Sequence, residues 1–294
     1  MAVNVKVGLI GALDMLKFKN MAKVREKAIQ AAPAKEVSGD FSINILAHKL
    51  HPDYLDLTVA EVIEHKDAKT FVFCGKDGKP LPYFRAGQYL SLKLKINDSY
   101  LTRPYSISSG PSWTKEGKIA ICVKRNDGGF AANWLLDNLK VGDNLVSSAP
   151  EGTFFFENLR DSKNVVAIAG GSGITPFLSM AYAVLNRDED HNLTIIYGSR
   201  TEDSILYKKE FDDIQAKCGK VKVIHVLSDE KKNGYENGFI TAELIKKYAG
   251  EDPTLFICGN EAMYKFLDPE IEKLGLPARR VRHEMRGVTK TIQE

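Results

Sequence analysis

A glycine-rich stretch, "VVAIAGGSGITPFLSM" at residues 165–180, offers the first recognisable chemistry in the sequence. A β-branched and small apolar run leads into Gly171-Ser172-Gly173, as a strand entering a phosphate loop does. Glycines let a backbone approach a pyrophosphate, and a helix starting there presents unpaired N–H groups and a partial positive charge. In the pattern G-x-G-x-x-G a third glycine would fall at position 176, but Pro176 stands there. Proline suits a first helical turn, where its missing N–H had no partner to lose. Thr175 can cap that helix or give its hydroxyl to a phosphate. Taken alone, the loop reads equally as a nucleotide site or as a structural tight turn.

A second cluster lies upstream in "LTRPYSISSG". Arg103 and Tyr105 alternate onto one face of a strand, with Ser106 beside them. An arginine there can hold a phosphate through its fork of donors. A tyrosine can lie against a planar ring, and a serine hydroxyl can bond a ring nitrogen. Each has a plain alternative: a surface ion pair, a core aromatic, a turn serine. The coincidence of this cluster with the glycine loop and with "CGN" at 258–260 is what makes them a site. The six histidines are dispersed, and His48-x-x-His51 falls in a stretch read as irregular, so no metal site is expected.

The elements that would position these groups form three regions. Residues 1–52 read as an N-terminal helical extension and linker. Leu9, Ile10, Leu13, Leu16, Met21, Val24 and Ala28 recur at helical spacing, Lys17, Lys19, Lys23, Arg25 and Lys27 make the other side basic, and "AAPAKEVSGD" breaks the pattern. Such a helix packs on a protein body or lies on a membrane surface or partner. Residues 53–158 hold short β-branched and aromatic runs, "YLDLTVAEVIEH", "TFVFCG", "QYLSLKLKI", "RPYSISSG" and "KIAICVKRN", punctuated by turn residues. That spacing predicts an all-β barrel or sandwich, interrupted by one helix in "NWLLDNLKVGD" closed by Gly142. Residues 159–294 alternate "VVAIAG", "LTIIYGS", "VKVIHVLS" and "TLFICG" with helical stretches after Pro176, over 205–217, 240–248 and 261–274. Regular β–α alternation predicts a parallel sheet covered on both faces.

Composition removes other classes. A net charge of +3 on 294 residues, without Lys/Arg blocks interleaved with aromatics, argues against nucleic acid. No apolar run approaches a bilayer span, and the N-terminus lacks a secretory pattern. Cys74, Cys122, Cys218 and Cys258 are scattered, which fits free thiols in a reducing cytoplasm and gives the chain no cysteine-ligated iron–sulfur centre of its own.

With these residues in place, the chain resembles the ferredoxin–NADP reductase superfamily of flavin-dependent oxidoreductases over about residues 53–287. "RPYS" at 103–106 looks like its R-x-Y-[ST] flavin motif, "GGSGITP" its pyridine-nucleotide loop, "CGN" its nicotinamide-side motif, and "APEGTF" at 149–154 the segment closing its barrel. The resemblance implies an antiparallel flavin-binding β-barrel followed by a Rossmann-like parallel α/β domain. It also implies hydride transfer from NAD(P)H to N5 of FAD, with FMN the less favoured flavin, and electrons passing on to an acceptor. By this resemblance Arg103 holds the flavin phosphates, Tyr105 the isoalloxazine face and Ser106 the N5 edge. Pro104, Gly152 and Thr153 complete the flavin contacts, and Gly129, Phe130 and Ala131 offer backbone N–H groups at a helix start. Gly171, Gly173 and Thr175 would cradle the dinucleotide, with Cys258 and Gly259 beside the nicotinamide and Glu284 the acid of "RHEMRG". The implied catalytic residues are therefore Ser106, Cys258 and Glu284. Two positions depart from the pattern: Ala132 stands where serine is common, and Arg286 where an aromatic is expected.

Nucleotide choice turns on two strand ends. Arg200 after the second parallel strand could receive a 2′-phosphate, whereas Asp229 and Glu230 after the third would repel it. "YGSR…LSD…GF" favours NADH. The resemblance is nearest to reductase components accompanied by a 2Fe-2S ferredoxin domain, so such a domain or a separate acceptor protein is the expected partner. The competing readings are a flavin-bearing electron-transfer subunit with little activity alone, and a regulatory nucleotide-binding module that has lost flavin.

Overall fold

In a computed structural model of the chain, residues 9–32 and 41–284 are described. Helix α1 spans Leu9–Ala31 and α2 spans Ser42–Leu50. The side chains of Asn20–Ala32 are exposed, as are Ile43, Ile45, Leu46 and Leu50 of α2. The stretch holding His48, read from sequence as irregular, is therefore helical to Leu50. Its N-cap is Phe41, which has no capping side chain to mark the start. The remaining linker residues, 33–40, lie outside the described residues, as does Arg286.

The first sheet is antiparallel. It is built from β1 (Tyr54–Glu64), β2 (Ala68–Gly75), β3 (Tyr89–Ile96), β4 (Ser99–Ser106), β5 (Lys118–Lys124) and β6 (Asn144–Ser148), in the order β4-β3-β6-β1-β2-β5. It curls until its two edges meet just past β4, where Ile107 bridges Ile121 and the Ser108 N–H donates to the Ala120 carbonyl at 2.8 Å. Period-2 alternation explains the interior: Leu57, Phe71, Phe73, Leu90, Leu92, Ile119 and Ile121 point inward and are fully buried. Helix α3 (Phe130–Asn138) closes one side by packing Leu135 and Leu136 on this core. It ends at Leu139 rather than at Gly142, because Leu139 already has extended backbone. Strand β6 was not picked out in the sequence; "NLVSS" is short and half polar, yet it sits between β1 and β3.

The second sheet is parallel throughout, in the order β10-β9-β8-β7-β11-β12. Its strands are β7 (Asn164–Gly170), β8 (Asn192–Ser199), β9 (Val221–Leu227), β10 (Glu236–Asn237), β11 (Thr254–Cys258) and β12 (Val281–His283). Helices α4 (Thr175–Leu185), α5 (Lys208–Lys217), α6 (Ala242–Ala249) and α7 (Glu261–Glu272) complete the layers. Consecutive residues of β7 feed opposite faces: Val165 and Ala167 pack with Phe177, Tyr197 and Phe211, whereas Val166 and Ile168 pack with Ile245, Ile257 and Leu267. Two short strands, β10 and β12, extend the four that the sequence pattern reveals. The helix expected from residue 205 begins only at Lys208, because Thr201 and Ser204 first close a 3-10 turn with reciprocal caps.

The strand order reverses between β7 and β11, and open parallel sheets bind ligands at the carboxyl ends on either side of such a reversal. The glycine loop ends β7, and "CGN" ends β11. No helix among the described residues is long and apolar enough to cross a membrane.

Candidate functional site

The two strand ends are in contact. A Cβ at Gly173 would lie 2.1 Å from the Cys258 carbonyl oxygen and 2.9 Å from the Gly259 nitrogen, so only glycine lets the two loops approach. Gly171 has φ +56° and open space above it, leaving room for a ligand over the loop. Residues 171–174 form a 3-10 turn that runs straight into α4, with Pro176 in its first turn. Thr175 is buried and its hydroxyl donates to the Ser172 carbonyl at 2.8 Å. It tightens the loop from within and does not cap the helix.

Two side chains from distant parts of the chain converge on the carboxylate of a third residue. The Ser106 hydroxyl, at the end of β4, donates to Oε1 of Glu284 at 2.9 Å, and the Cys258 thiol donates to Oε2 at 2.6 Å. Glu284 follows β12 directly, and its N–H donates to the Ile257 carbonyl at 3.0 Å. The barrel and the parallel sheet are thus joined through a carboxylate whose two oxygens both accept. Tyr105 precedes Ser106 and packs against the barrel core, where burial pushes its phenol up to about 12, so it remains neutral. Pro104 and Arg103 are exposed; the Arg103 guanidinium donates to the Thr102 carbonyl at 2.8 Å, an exposed bond that costs little to exchange for an anion. Arg103 and Tyr105 pair with Leu92 and Leu90 of β3, which places them on one face as the alternation requires.

Gly129 is the N-cap of α3 and makes no side-chain cap bond there, so the first turn presents its backbone N–H groups. Phe130 is exposed, whereas Ala131 is anchored in the barrel core. Ala132 also packs on that core, which accounts for a methyl in place of a hydroxyl. Gly152 has φ +100° and closes onto the Tyr89 ring, and the Thr153 carbonyl accepts from Arg282 of β12 at 2.9 Å. The segment closing the barrel is therefore clamped to the strand that delivers Glu284.

Arg200 stands apart from this cluster. Its Nε donates to Asp229 at 2.8 Å, so the two groups that sequence reasoning set against each other form one ion pair. The Ser228 hydroxyl and then Arg200 hold the Asp229 carboxyl below the usual carboxylate range. Glu230 accepts from the Glu202 N–H at 2.9 Å, and Glu202 in turn bonds Lys232 and Tyr235, fixing this rim as a net of paired charges.

Sequence reasoning missed Met263. Its sulfur occupies the space in which a Cβ would stand at both Gly170 and Gly259, 2.3 Å from each. A glycine at the end of each strand was the available signal. The donors, the open space over Gly171 and the exposed arginine fit a phosphate-bearing planar cofactor on the barrel and a dinucleotide on the sheet.

Both sheets fall within known domain families. Residues 54–156 match the oxidoreductase FAD-binding domain family and residues 167–268 the oxidoreductase NAD-binding domain family. Flavohemoprotein A of Dictyostelium discoideum is 30% identical over 243 residues, covering 77% of this chain and 58% of that protein. The ferredoxin reductase component of a 3-ketosteroid-9-alpha-monooxygenase from Mycolicibacterium smegmatis is 31% identical over 230 residues, covering 76% of this chain and 63% of that one. Among solved structures, the Amycolatopsis cytochrome P450 reductase GcoB superposes with a TM-score of 0.68 at 26% identity, over 80% of this chain and 70% of that one. The chain spans about three fifths of the length of the curated relatives it matches.

Proposed function

We propose, from the premise that this chain belongs to the ferredoxin–NADP reductase superfamily, that it is an NAD(P)H-dependent flavin oxidoreductase. It prefers NADH, holds FAD, and passes electrons to an iron–sulfur or other protein acceptor in the cytoplasm. The observation that carries this reading is the convergence of Ser106, Cys258 and Glu284 across the two sheets, beside the glycine loop whose Gly173 meets the Cys258 backbone. The working division is barrel to about residue 158 and nucleotide domain from there.

When bound, FAD supplies the chemistry, accepting hydride from a dihydronicotinamide and releasing electrons to the acceptor. The chain's own residues bind and orient. Arg103 and the N–H groups of Gly129, Phe130 and Ala131 hold phosphate, with Pro104, Gly152 and Thr153 shaping the same wall. Tyr105 supplies a ring face. Gly171, Gly173 and Thr175 cradle the dinucleotide, while Cys258 and Gly259 wall the nicotinamide side. The Glu284 carboxylate keeps the Ser106 hydroxyl and the Cys258 thiol aimed at one point, so the reacting atoms meet without a search.

NADH preference follows from the Arg200–Asp229 pair. An arginine already balanced by a carboxylate has little charge left for a 2′-phosphate, and Asp229 itself repels one. Asp229→Asn is expected to raise kcat/KM for NADPH by about threefold while changing that for NADH by less than about twofold. An unchanged NADPH/NADH ratio would remove this pair as the discriminator.

The test of the function is a visible spectrum of the FAD-loaded protein before and after anaerobic NADH, then NADPH. Bleaching by NADH is expected. Colour that persists with both nucleotides would overturn the reading in favour of an electron-transfer subunit that receives electrons elsewhere.

A further inference from the structure

The connection from β8 to α5, residues 200–207, touches both the nucleotide end of the sheet and the barrel. At its far end Tyr207 has φ 62° although it is not glycine. A tyrosine holds that left-handed conformation where its surroundings over-determine it, and here the barrel does so. Its side chain is buried, its hydroxyl shares a 2.6 Å hydrogen bond with Thr70 of β2, and its ring meets His65 edge-on at 5.0 Å. Thr70 is held in turn at 2.9 Å by His65 Nε2.

One residue before it, the Leu206 N–H donates to the hydroxyl of Tyr197 at 3.3 Å, and that hydroxyl donates to the Gly171 carbonyl at 3.1 Å. Tyr197 is fully buried on β8. Burial pushes its phenol up to about 12, so it stays a neutral donor. The hydroxyl fixes the glycine of the loop whose φ is +56°. Phenylalanine would fill the same volume; what it lacks is the one atom that both accepts from the strap and donates to the loop.

We propose that the Tyr197 hydroxyl is a positioning group for the glycine loop, and that the Leu206–Tyr207 strap ties it to Thr70 of the barrel. Affinity for a dinucleotide's pyrophosphate then depends on a barrel side chain. Tyr197 and Tyr207 do not touch the nucleotide; they act through Gly171. This rests on the nucleotide-binding reading above and extends it to residues outside the site.

The test uses FAD-loaded protein and two reductants: NADH, and 1-benzyl-1,4-dihydronicotinamide, which carries no phosphate. Binding of NAD⁺ is measured separately by titration calorimetry. Tyr197→Phe is expected to weaken NAD⁺ binding by about tenfold, the effect of leaving a buried carbonyl and N–H without their partner. Reduction by the benzyl compound and the flavin spectrum are expected to be unchanged. Thr70→Val is expected to weaken NAD⁺ binding in the same direction by about threefold. It carries the test if Tyr197→Phe fails to retain flavin. Unchanged NAD⁺ affinity in the variants, equal losses with both reductants, or a wild type that binds no NAD⁺ would each overturn the proposal. A wild type that binds NAD⁺ yet is not bleached by NADH would defeat the functional reading and leave the strap to be judged on affinity.

Discussion

Gly173→Ala is expected to slow reduction by NADH on the order of 10²-fold while leaving the flavin barrel folded and coloured. The added Cβ would stand 2.1 Å from the Cys258 carbonyl oxygen, 2.5 Å from its carbon and 2.9 Å from the Gly259 nitrogen. All three are backbone atoms at the ends of hydrogen-bonded strands, so no side chain can swing away. The two loops must part by roughly an ångström, and a displacement of that size at reacting groups costs on the order of 10²-fold in rate. Overpacking at such a contact also destabilises by about 1–3 kcal/mol. Gly171→Ala is the instructive comparison, because its Cβ meets no protein atom: it costs left-handed strain of about 1–2 kcal/mol and enters the space proposed for the dinucleotide, without parting the strand ends. Stopped-flow bleaching by NADH, thermal melting and flavin absorbance measure these effects together. A Gly173→Ala protein bleached at the wild-type rate would show that the strand ends need not touch.

The second large effect is expected for Glu284→Gln, with the loss confined to the limiting rate. Ser106 and Cys258 both donate to this side chain, so it must accept at two atoms. A glutamine accepts at one and presents N–H groups at the other, facing a donor with a donor. Hydrogen bonds to a charged partner are worth about 1.5–3 kcal/mol, which corresponds to roughly a 10- to 100-fold fall in the rate of bleaching at saturating NADH. In the proposed function the dinucleotide is held at the glycine loop of β7, so the dissociation constant is expected to stay within about threefold of wild type. Ser106→Ala removes one of the two bonds and should fall between. A Glu284→Gln variant changed in affinity alone would mean that the carboxylate shapes the nucleotide pocket rather than the meeting of the two cofactors.

The glycine loop, "RPYS" and "CGN" could be found in the sequence because glycine, proline and arginine mark a backbone that must approach a phosphate. Strands β7, β8, β9 and β11 were visible as apolar runs because both faces of a parallel sheet are covered. Strand β6 was not, since "NLVSS" is too short and polar to stand out although it is central to the barrel. Two-residue β10 and three-residue β12 fall below the length at which any period can be read. Helix α2 escaped because its nine residues start from Phe41, which offers no capping side chain. Arg200 and Asp229 were seen as opposed because their charges are legible but their 2.8 Å pairing is a property of neighbouring strands β8 and β9. Tyr197 reads as an ordinary core residue of "LTIIYGS", and the positive φ of Tyr207 has no sequence mark at all. Those roles arise only when the barrel and the sheet are brought together.

The placement of Glu284 directly after β12 has a consequence for how the protein is made. That strand is three residues long and pairs with β11 alone, while the serine that its carboxylate receives lies 178 residues earlier. Chains are synthesised from the N-terminus and tend to fold unit by unit in that order. Ser106 of the barrel, and then Gly173 of the loop, are synthesised well before the carboxylate. A half-made molecule can therefore hold the barrel without the carboxylate that receives Ser106 and Cys258. The last strand to dock is the clasp between barrel and sheet, and it is made only after both of the residues it fastens.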